Sequence, residues 1–209
     1  MKKIITVLAS PLITLGLALT FATPAQAQAS SPFPGASCGG NGSFRWPVKT
    51  GADADRYNVD TKPIDTSISY LHGLPPPTHT ALDSSYAKDH RINYMELHTW
   101  QFTGDALETI SLNSHDSDLH MIIKDSSGNH IGAEVPWPGC VSSLSLWRTD
   151  ISTVRDYLDA LYPTSVSQPV QTVNREVTIR GLGFFDHSEN TGQKYYHIEL
   201  HPVIYISFS

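Results

Sequence analysis

The sequence predicts a mainly β protein in which five strands close into a small barrel and one helix follows the third strand. Residues 175–209 contain two stretches of alternating apolar and polar side chains around a polar loop, a pattern typical of a β-hairpin. Three further alternating stretches precede this hairpin. Between the two groups, one stretch has the apolar spacing of three and four residues that favours a helix.

The first three strands are predicted between residues 92 and 136, at 92–112, 119–125 and 130–136. Gly104 and Asp105 interrupt the first of them, and we expect a bulge or bend there because the stretch is too long for one flat strand. Residues 126–129, with the sequence SSGN, predict a hairpin turn between the second and third strands. Pro136 ends the third strand.

A helix is predicted from one apolar stripe between Trp147 and Leu161, with Thr149 or Asp150 as the cap at its start, Pro163 at its end and charged residues such as Arg155 off the stripe. The stripe consists of Trp147, Ile151, Val154, Leu158 and Leu161. In the hairpin that follows, Val177 and Ile179 in one strand, and Ile198 and Leu200 in the other, are predicted to face the core.

The order of these elements resembles that of the OB-fold, a five-stranded, partly open barrel with its helix between strands three and four. The resemblance covers residues 94–209. It implies a ligand-binding face on strands two and three, between the loop that joins strands one and two and the loop that joins strands four and five. A β-sandwich with an inserted helix is the alternative fold.

Residues 1–29 resemble a secretory signal peptide, with a basic start, an apolar run and ATPAQAQA before a cleavage site after Ala27 or Ala29. Residues 30–90 are then an N-terminal extension packing on the barrel, and residues 91–209 form the OB-like barrel domain. Within the extension, the RWPVK segment is predicted to be a short strand or lid from which Arg45 and Lys49 face outward. We expect a periplasmic or secreted protein without a membrane span after cleavage.

Net charge bears on the class of partner. The whole chain has a formal charge of −6, and loss of Lys2 and Lys3 changes the balance from 14 − 20 to 12 − 20, or −8. This acidity makes a nucleic-acid partner unlikely, because phosphate backbones are held chiefly by Lys and Arg. The expected partner is an unknown small molecule or an envelope protein.

The two cysteines, Cys38 and Cys140, are expected to form a disulfide in an oxidising compartment. Reactive or metal-bound thiols are the alternative, but the chain has no Cys-x-x-Cys pair.

Four segments carry a resemblance to a known family: RWPVKTGADAD, DSDLHMIIKD, GFFDHSENTG and IELHPVIYI. They resemble landmarks of a family of uncharacterised exported bacterial proteins. The resemblance implies that the exported chain is one domain, and it implies no activity.

The two loops at the expected binding edge are the first candidate site. They contain Asp116, Asp118, Asp186 and His187. Carboxylates and loop carbonyls suit Ca²⁺ or Mg²⁺, whereas the alternative is a pair of solvated turns that satisfy their own backbone.

The second candidate site is a row of His and Glu side chains on the strands. Glu199 and His201 are two residues apart and therefore share one strand face, and His120 and Glu134 have the matching parity on strands two and three. If the barrel brings these four together, they could hold Zn²⁺ or a similar divalent cation, or act as acid and base. A polar outer face without a ligand is the alternative.

Two functions follow from these sites. One is a binding protein that uses the polar loops and the His/Glu face of an OB-like barrel. The other is a metal-dependent phosphodiester hydrolase, because thermonuclease-type enzymes also use such a barrel with carboxylates that hold a cation. The sequence leaves open whether the protein is an enzyme.

Overall fold

The computed structural model describes Cys38 and residues 45–113, 116–164, 170–186 and 198–209. Of these residues, 41% lie in strands and 24% in helices, so the protein is mainly β as expected. The strands are β1 Asp60–Asp65, β2 His98–Leu112, β3 Leu119–Lys124, β4 His130–Val135, β5 Val170–Phe185 and β6 Ile198–Phe208. The helices are α1 Trp46–Lys49, α2 Ile68–His72, α3 His79–Leu82 and α4 Arg148–Leu161, with short 3-10 helices at Arg56–Asn58, Tyr94–Leu97 and Pro138–Cys140.

The strands form one mixed sheet of six, in the order β1-β2-β3-β4-β6-β5. Because β2 also pairs with β5, the strands from β2 to β6 form a closed ring of pairings. Within the ring, β4 and β6 are parallel and the other pairs are antiparallel. β1 lies outside the ring and pairs in parallel with β2.

Gly104 sits at the bend in β2. Its φ of +85° is a left-handed conformation that glycine adopts readily, and the register with β5 shifts between Thr103 and Asp105. This irregularity lets one long strand pair with β5 over most of its length and with β3 over its second half.

The core fills the inside of the ring. Leu119, Met121 and Ile123 of β3 are fully buried and alternate with partly exposed residues, so one face of this strand points inward. The predicted apolar stripe of α4 is buried at Ile151, Val154 and Leu158, although Leu161 at the end of α4 is 42% exposed. Arg155 is buried, contrary to the helical pattern, and donates a hydrogen bond to the carbonyl of Ser117 at 2.8 Å.

The expectation of a strand or lid at residues 45–49 is wrong, because Trp46–Lys49 is a helical turn with Pro47 near its start. Arg45 and Lys49 do not face outward, since they are 3% and 8% exposed. Arg45 donates two hydrogen bonds to the buried carboxylate of Glu96, at 2.6 and 2.8 Å. This pair holds the segment against the sheet.

Cys38 and Cys140 form the predicted disulfide. Disulfides are typical of oxidising compartments outside the cytoplasm. In the part of the chain that the structure describes, no helix is both long and apolar enough to cross a membrane.

Candidate functional site

The four His and Glu side chains predicted on the strands lie together on the outward face of β3, β4 and β6. His120 pairs in register with Glu134, and Gly132 of β4 pairs with Glu199 of β6. Because the neighbours of His120 in β3 point into the core, its own side chain faces the opposite side of the sheet. The parallel pairing of β4 with β6 then places Glu199 and His201 beside this row.

His201 is at the centre of the cluster and has no exposed surface. Its Nδ1 lies 3.2 Å from Oε2 of Glu134 and 3.3 Å from Oε1 of Glu199. His120 is at the margin, with Nε2 4.0 Å from Oε1 of Glu134 and a side chain that is 42% exposed. The cluster therefore has a buried centre at His201 and a solvent-facing margin at His120.

Asp118 joins this cluster from the loop before β3. It is fully buried, and its Oδ2 lies 3.6 Å from Nε2 of His201, which is longer than a hydrogen bond. Neither of these two atoms has a hydrogen-bond partner within the described residues. The other carboxylate oxygen, Oδ1, accepts a hydrogen bond from the backbone of Trp137 at 3.1 Å and so fixes the orientation of the side chain.

These groups have the composition of a metal site. One ligand atom from each of Asp118, Glu134 and His201 lies within 4.8 Å of the other two. Metal-binding histidines commonly have a carboxylate on one ring nitrogen and the metal on the other. Here Glu199 is hydrogen-bonded at Nδ1, Oε2 of Glu134 lies near the same nitrogen, and Oδ2 of Asp118 lies near Nε2.

Lys49 of α1 brings a positive charge to the edge of the cluster. Its Nζ donates to Oδ2 of Asp186 at 3.2 Å and lies 5.2 Å from the centre of the Phe184 ring, which itself contacts the His201 ring. Burial opposes the charge on Lys49, but the carboxylates of Glu134, Glu199 and Asp186 outweigh it and raise the pKa of the amine. Lys49 is therefore a permanent cation beside an acidic group.

The two glutamates differ in electrostatic environment. Burial, followed by repulsion from Glu199, raises the pKa of Glu134 to about 8. Burial also opposes ionisation of Glu199, but its hydrogen bond to His201 and the charge of Lys49 lower its pKa. Burial disfavours protonated His201, yet the charge of Glu134 and the contacts of the ring with Asp118 and Glu199 raise its pKa to about 9. Glu199 is thus the more readily ionised carboxylate beside Nδ1.

Gly132 makes room for the cluster. A Cβ at this position would lie 3.3 Å from Oε2 of Glu199 and 3.6 Å from Nε2 of His120. A side chain on the outward face of β4 here would press on the carboxylate of Glu199, so the bare backbone gives that carboxylate its room.

The loop residues of the first candidate site have different positions. Asp116 accepts a hydrogen bond from the backbone N–H of Asp118 at 3.2 Å, as the turn alternative expects, but it is buried and not solvated, and burial and the charge of Asp118 raise its pKa. Asp118 belongs to the His/Glu cluster, and Asp186 reaches it through Lys49. His187 lies outside the described residues.

Sequence reasoning missed Lys49, which was expected to face solvent, and it assigned Asp118 to a separate site. Comparison of the chain with protein-family models, with curated proteins and with solved structures finds no match.

Proposed function

We propose that this chain is an exported protein that holds one divalent transition-metal ion among Asp118, Glu134 and His201 and uses the surrounding face to bind a ligand or an envelope partner. The fold that we propose for it is an OB-like barrel. The ring order β2-β3-β4-β6-β5, with α4 between β4 and β5, supports that assignment because it corresponds to the strand connections of an OB-fold. The site then lies on the face that such barrels use for ligands.

One observation carries the metal proposal. Oδ2 of Asp118 and Nε2 of His201 are buried and face each other at 3.6 Å, and neither atom has a hydrogen-bond partner in the described chain. An unpaired buried polar atom costs about 1–3 kcal/mol, more when the group is charged. A cation bound by both atoms would remove this cost for each of them.

The donor atoms indicate the class of metal. Imidazole nitrogen with carboxylate oxygen suits Zn²⁺ and neighbouring transition ions, whereas Ca²⁺ and Mg²⁺ prefer oxygen ligands alone. Glu199 would act through His201 by holding Nδ1–H, so that the ring releases its other proton, at Nε2, when the metal binds.

The test is titration of the chelator-treated, disulfide-intact protein with Zn²⁺, Mn²⁺ and Ca²⁺, followed by calorimetry. We expect one Zn²⁺ per chain and weak or absent Ca²⁺ binding. Asp118→Asn and His201→Ala should each abolish stoichiometric zinc binding. His130→Gln is the matched control, since His130 pairs with Glu108 at 3.0 Å outside the cluster. Equal zinc binding by Asp118→Asn and the unmodified protein would refute the assignment.

A metal-dependent phosphodiester hydrolase is a second proposal for the same face. Lys49 favours it, because a charged amine beside a metal site is placed to attract a phosphate. The surrounding carboxylates disfavour it by repelling that anion. Hydrolysis of DNA, RNA and a generic phosphodiester with added Zn²⁺, Mg²⁺ or Ca²⁺ tests this function, and activity should disappear in Lys49→Met. Zinc binding without hydrolysis would leave the binding function alone.

A further inference from the structure

A cleft of about 460 Å³ lies beside β1, α2 and the start of β2. None of its lining residues belongs to the His/Glu cluster. Four of its lining side chains are aromatic rings: Tyr70, Tyr94, His98 and Trp100. Tyr70 and Tyr94 are 52% and 55% exposed, so both rings are open to solvent at the cleft. Large exposed aromatic surface around a concave space is typical of a binding site.

The rings stand at steep angles to one another. Neighbouring centroids are 6.3 Å apart for Tyr70 and Trp100, 5.6 Å for His98 and Trp100, and 5.9 Å for Tyr94 and His98. The corresponding angles between ring planes are 50°, 73° and 80°. Rings arranged in this way form adjoining walls, whereas a flat base held between two rings requires parallel ring faces.

The charge of the cleft favours a cation. Asp65 is the charged residue among those that line it, and no Lys or Arg is present in this lining. The carboxylate is held in place by a hydrogen bond from Nε2 of Gln101 at 2.6 Å, and Oε1 of Gln101 accepts in turn from Arg180 at 2.7 Å. An anionic ligand would meet this ordered negative charge without a compensating group.

Three aromatic rings elsewhere in the molecule are covered by arginine side chains of the protein. The guanidinium carbons of Arg56, Arg175 and Arg180 lie 4.6, 4.5 and 5.0 Å from the ring centres of Tyr57, Phe208 and Tyr205. Among the side chains placed by the structure, none covers a ring of the cleft in this way. The cleft therefore combines aromatic walls and a carboxylate without an internal cation.

We infer that this cleft binds a small organic cation of the alkylammonium class, with the cationic group against the exposed rings of Tyr70 and Tyr94 and its charge balanced by Asp65. Ring quadrupoles attract such a cation, and methylated ammonium groups lose less hydration than a primary amine on entering an aromatic site. This inference is independent of the metal site.

The experiment uses choline and its uncharged carbon isostere, in which a carbon atom replaces the nitrogen, with the disulfide-intact chain and tryptophan fluorescence as the readout. The two probes have nearly the same shape, so a difference in affinity reports the charge. We expect choline to bind about tenfold more tightly than the isostere, the ratio that cation–π attraction at a partly desolvated site gives. Glucose serves as a neutral sugar probe and should not bind.

Variants locate the site. Tyr70→Ala and Tyr94→Ala should each weaken choline binding several-fold, and Asp65→Asn should weaken choline but not the isostere. Tyr57→Ala removes another exposed ring, outside the cleft lining, and should leave binding unchanged. All four side chains are exposed, so the variants should fold, as circular dichroism can verify. Equal binding of choline and the isostere, binding of glucose alone, or no binding at millimolar concentration would each overturn the inference.

Discussion

Glu134 and Glu199 each place one carboxylate oxygen beside the same nitrogen, Nδ1 of His201, at distances of 3.2 and 3.3 Å. One N–H cannot be shared equally by two buried carboxylates, and the environments of these two differ. Burial raises the pKa of Glu134, whereas the hydrogen bond to His201 helps to lower that of Glu199. The contact of Glu199 has hydrogen-bond geometry, so we assign it the orienting role, and Glu134 would have to turn from Nδ1 toward Asp118 to bind the proposed ion.

The first prediction concerns Glu199. Glu199→Gln should reduce zinc affinity by about 10–100-fold, because loss of an orienting carboxylate weakens the ligand behaviour of a metal-binding histidine by this amount. Calorimetric titration measures the change. Glu176→Gln, at an exposed position of β5, is the control. Unchanged affinity in Glu199→Gln would mean that Glu134 alone positions His201.

Gly132 provides a second, steric prediction. In Gly132→Ala the new methyl group would lie 3.3 Å from Oε2 of Glu199, so this carboxylate has to shift slightly, whereas the 3.6 Å distance to Nε2 of His120 is an ordinary contact. We expect zinc affinity to fall at least several-fold, whereas the free energy of unfolding changes by less than about 1 kcal/mol, since flexible side chains can shift. Zinc titration and urea denaturation of the same sample separate the two effects. A large loss of stability with normal zinc affinity would contradict this account.

The ring of five strands could be predicted because each of these strands has a buried face that imposes alternation on the sequence. β1 was missed for the opposite reason. Its residues, DTKPID, are mostly exposed and include Pro63, so the strand lies at an edge and is defined by backbone pairing with β2. The alternation of apolar and polar residues therefore does not identify such a strand.

The site residues that lie on strands could also be predicted. Side chains alternate between the two faces of a strand, which places His120, Glu134, Glu199 and His201 on the outward face whatever they contact. Lys49 and Asp118 could not be added in this way. Lys49 reaches the site through the packing of α1, and the single turn of α1 has too few residues to show a period. Arg155 in α4 shows the same limit, because its burial depends on the carbonyl of Ser117, far away in the sequence.

A third prediction concerns the buried ion pair of Arg45 and Glu96. Both side chains are at most 1% exposed, and Glu96 also accepts hydrogen bonds from the backbone N–H groups of Ile92 and Phe185. Arg45→Met should lower the free energy of unfolding by about 3–5 kcal/mol, because it leaves the carboxylate buried without its counter-ion. Chemical denaturation measures this loss. Arg175→Met, at an exposed position, should cost less than about 1 kcal/mol, and equal losses in the two variants would contradict the prediction.

The last prediction links the disulfide to the site. Cys140 ends the short 3-10 helix that follows Trp137, and the backbone of Trp137 donates the hydrogen bond that orients Asp118. The bond to Cys38 spans 102 residues, for which the loss of unfolded-chain entropy gives up to about 5 kcal/mol of stabilisation. The double variant Cys38→Ala/Cys140→Ala should therefore unfold at lower urea concentration and bind zinc more weakly, since the Trp137 segment is less firmly held.

Reductant should reproduce both effects in the unmodified protein and have no effect on the double variant. Lower stability against urea with unchanged zinc affinity would show that Asp118 is positioned without help from the disulfide.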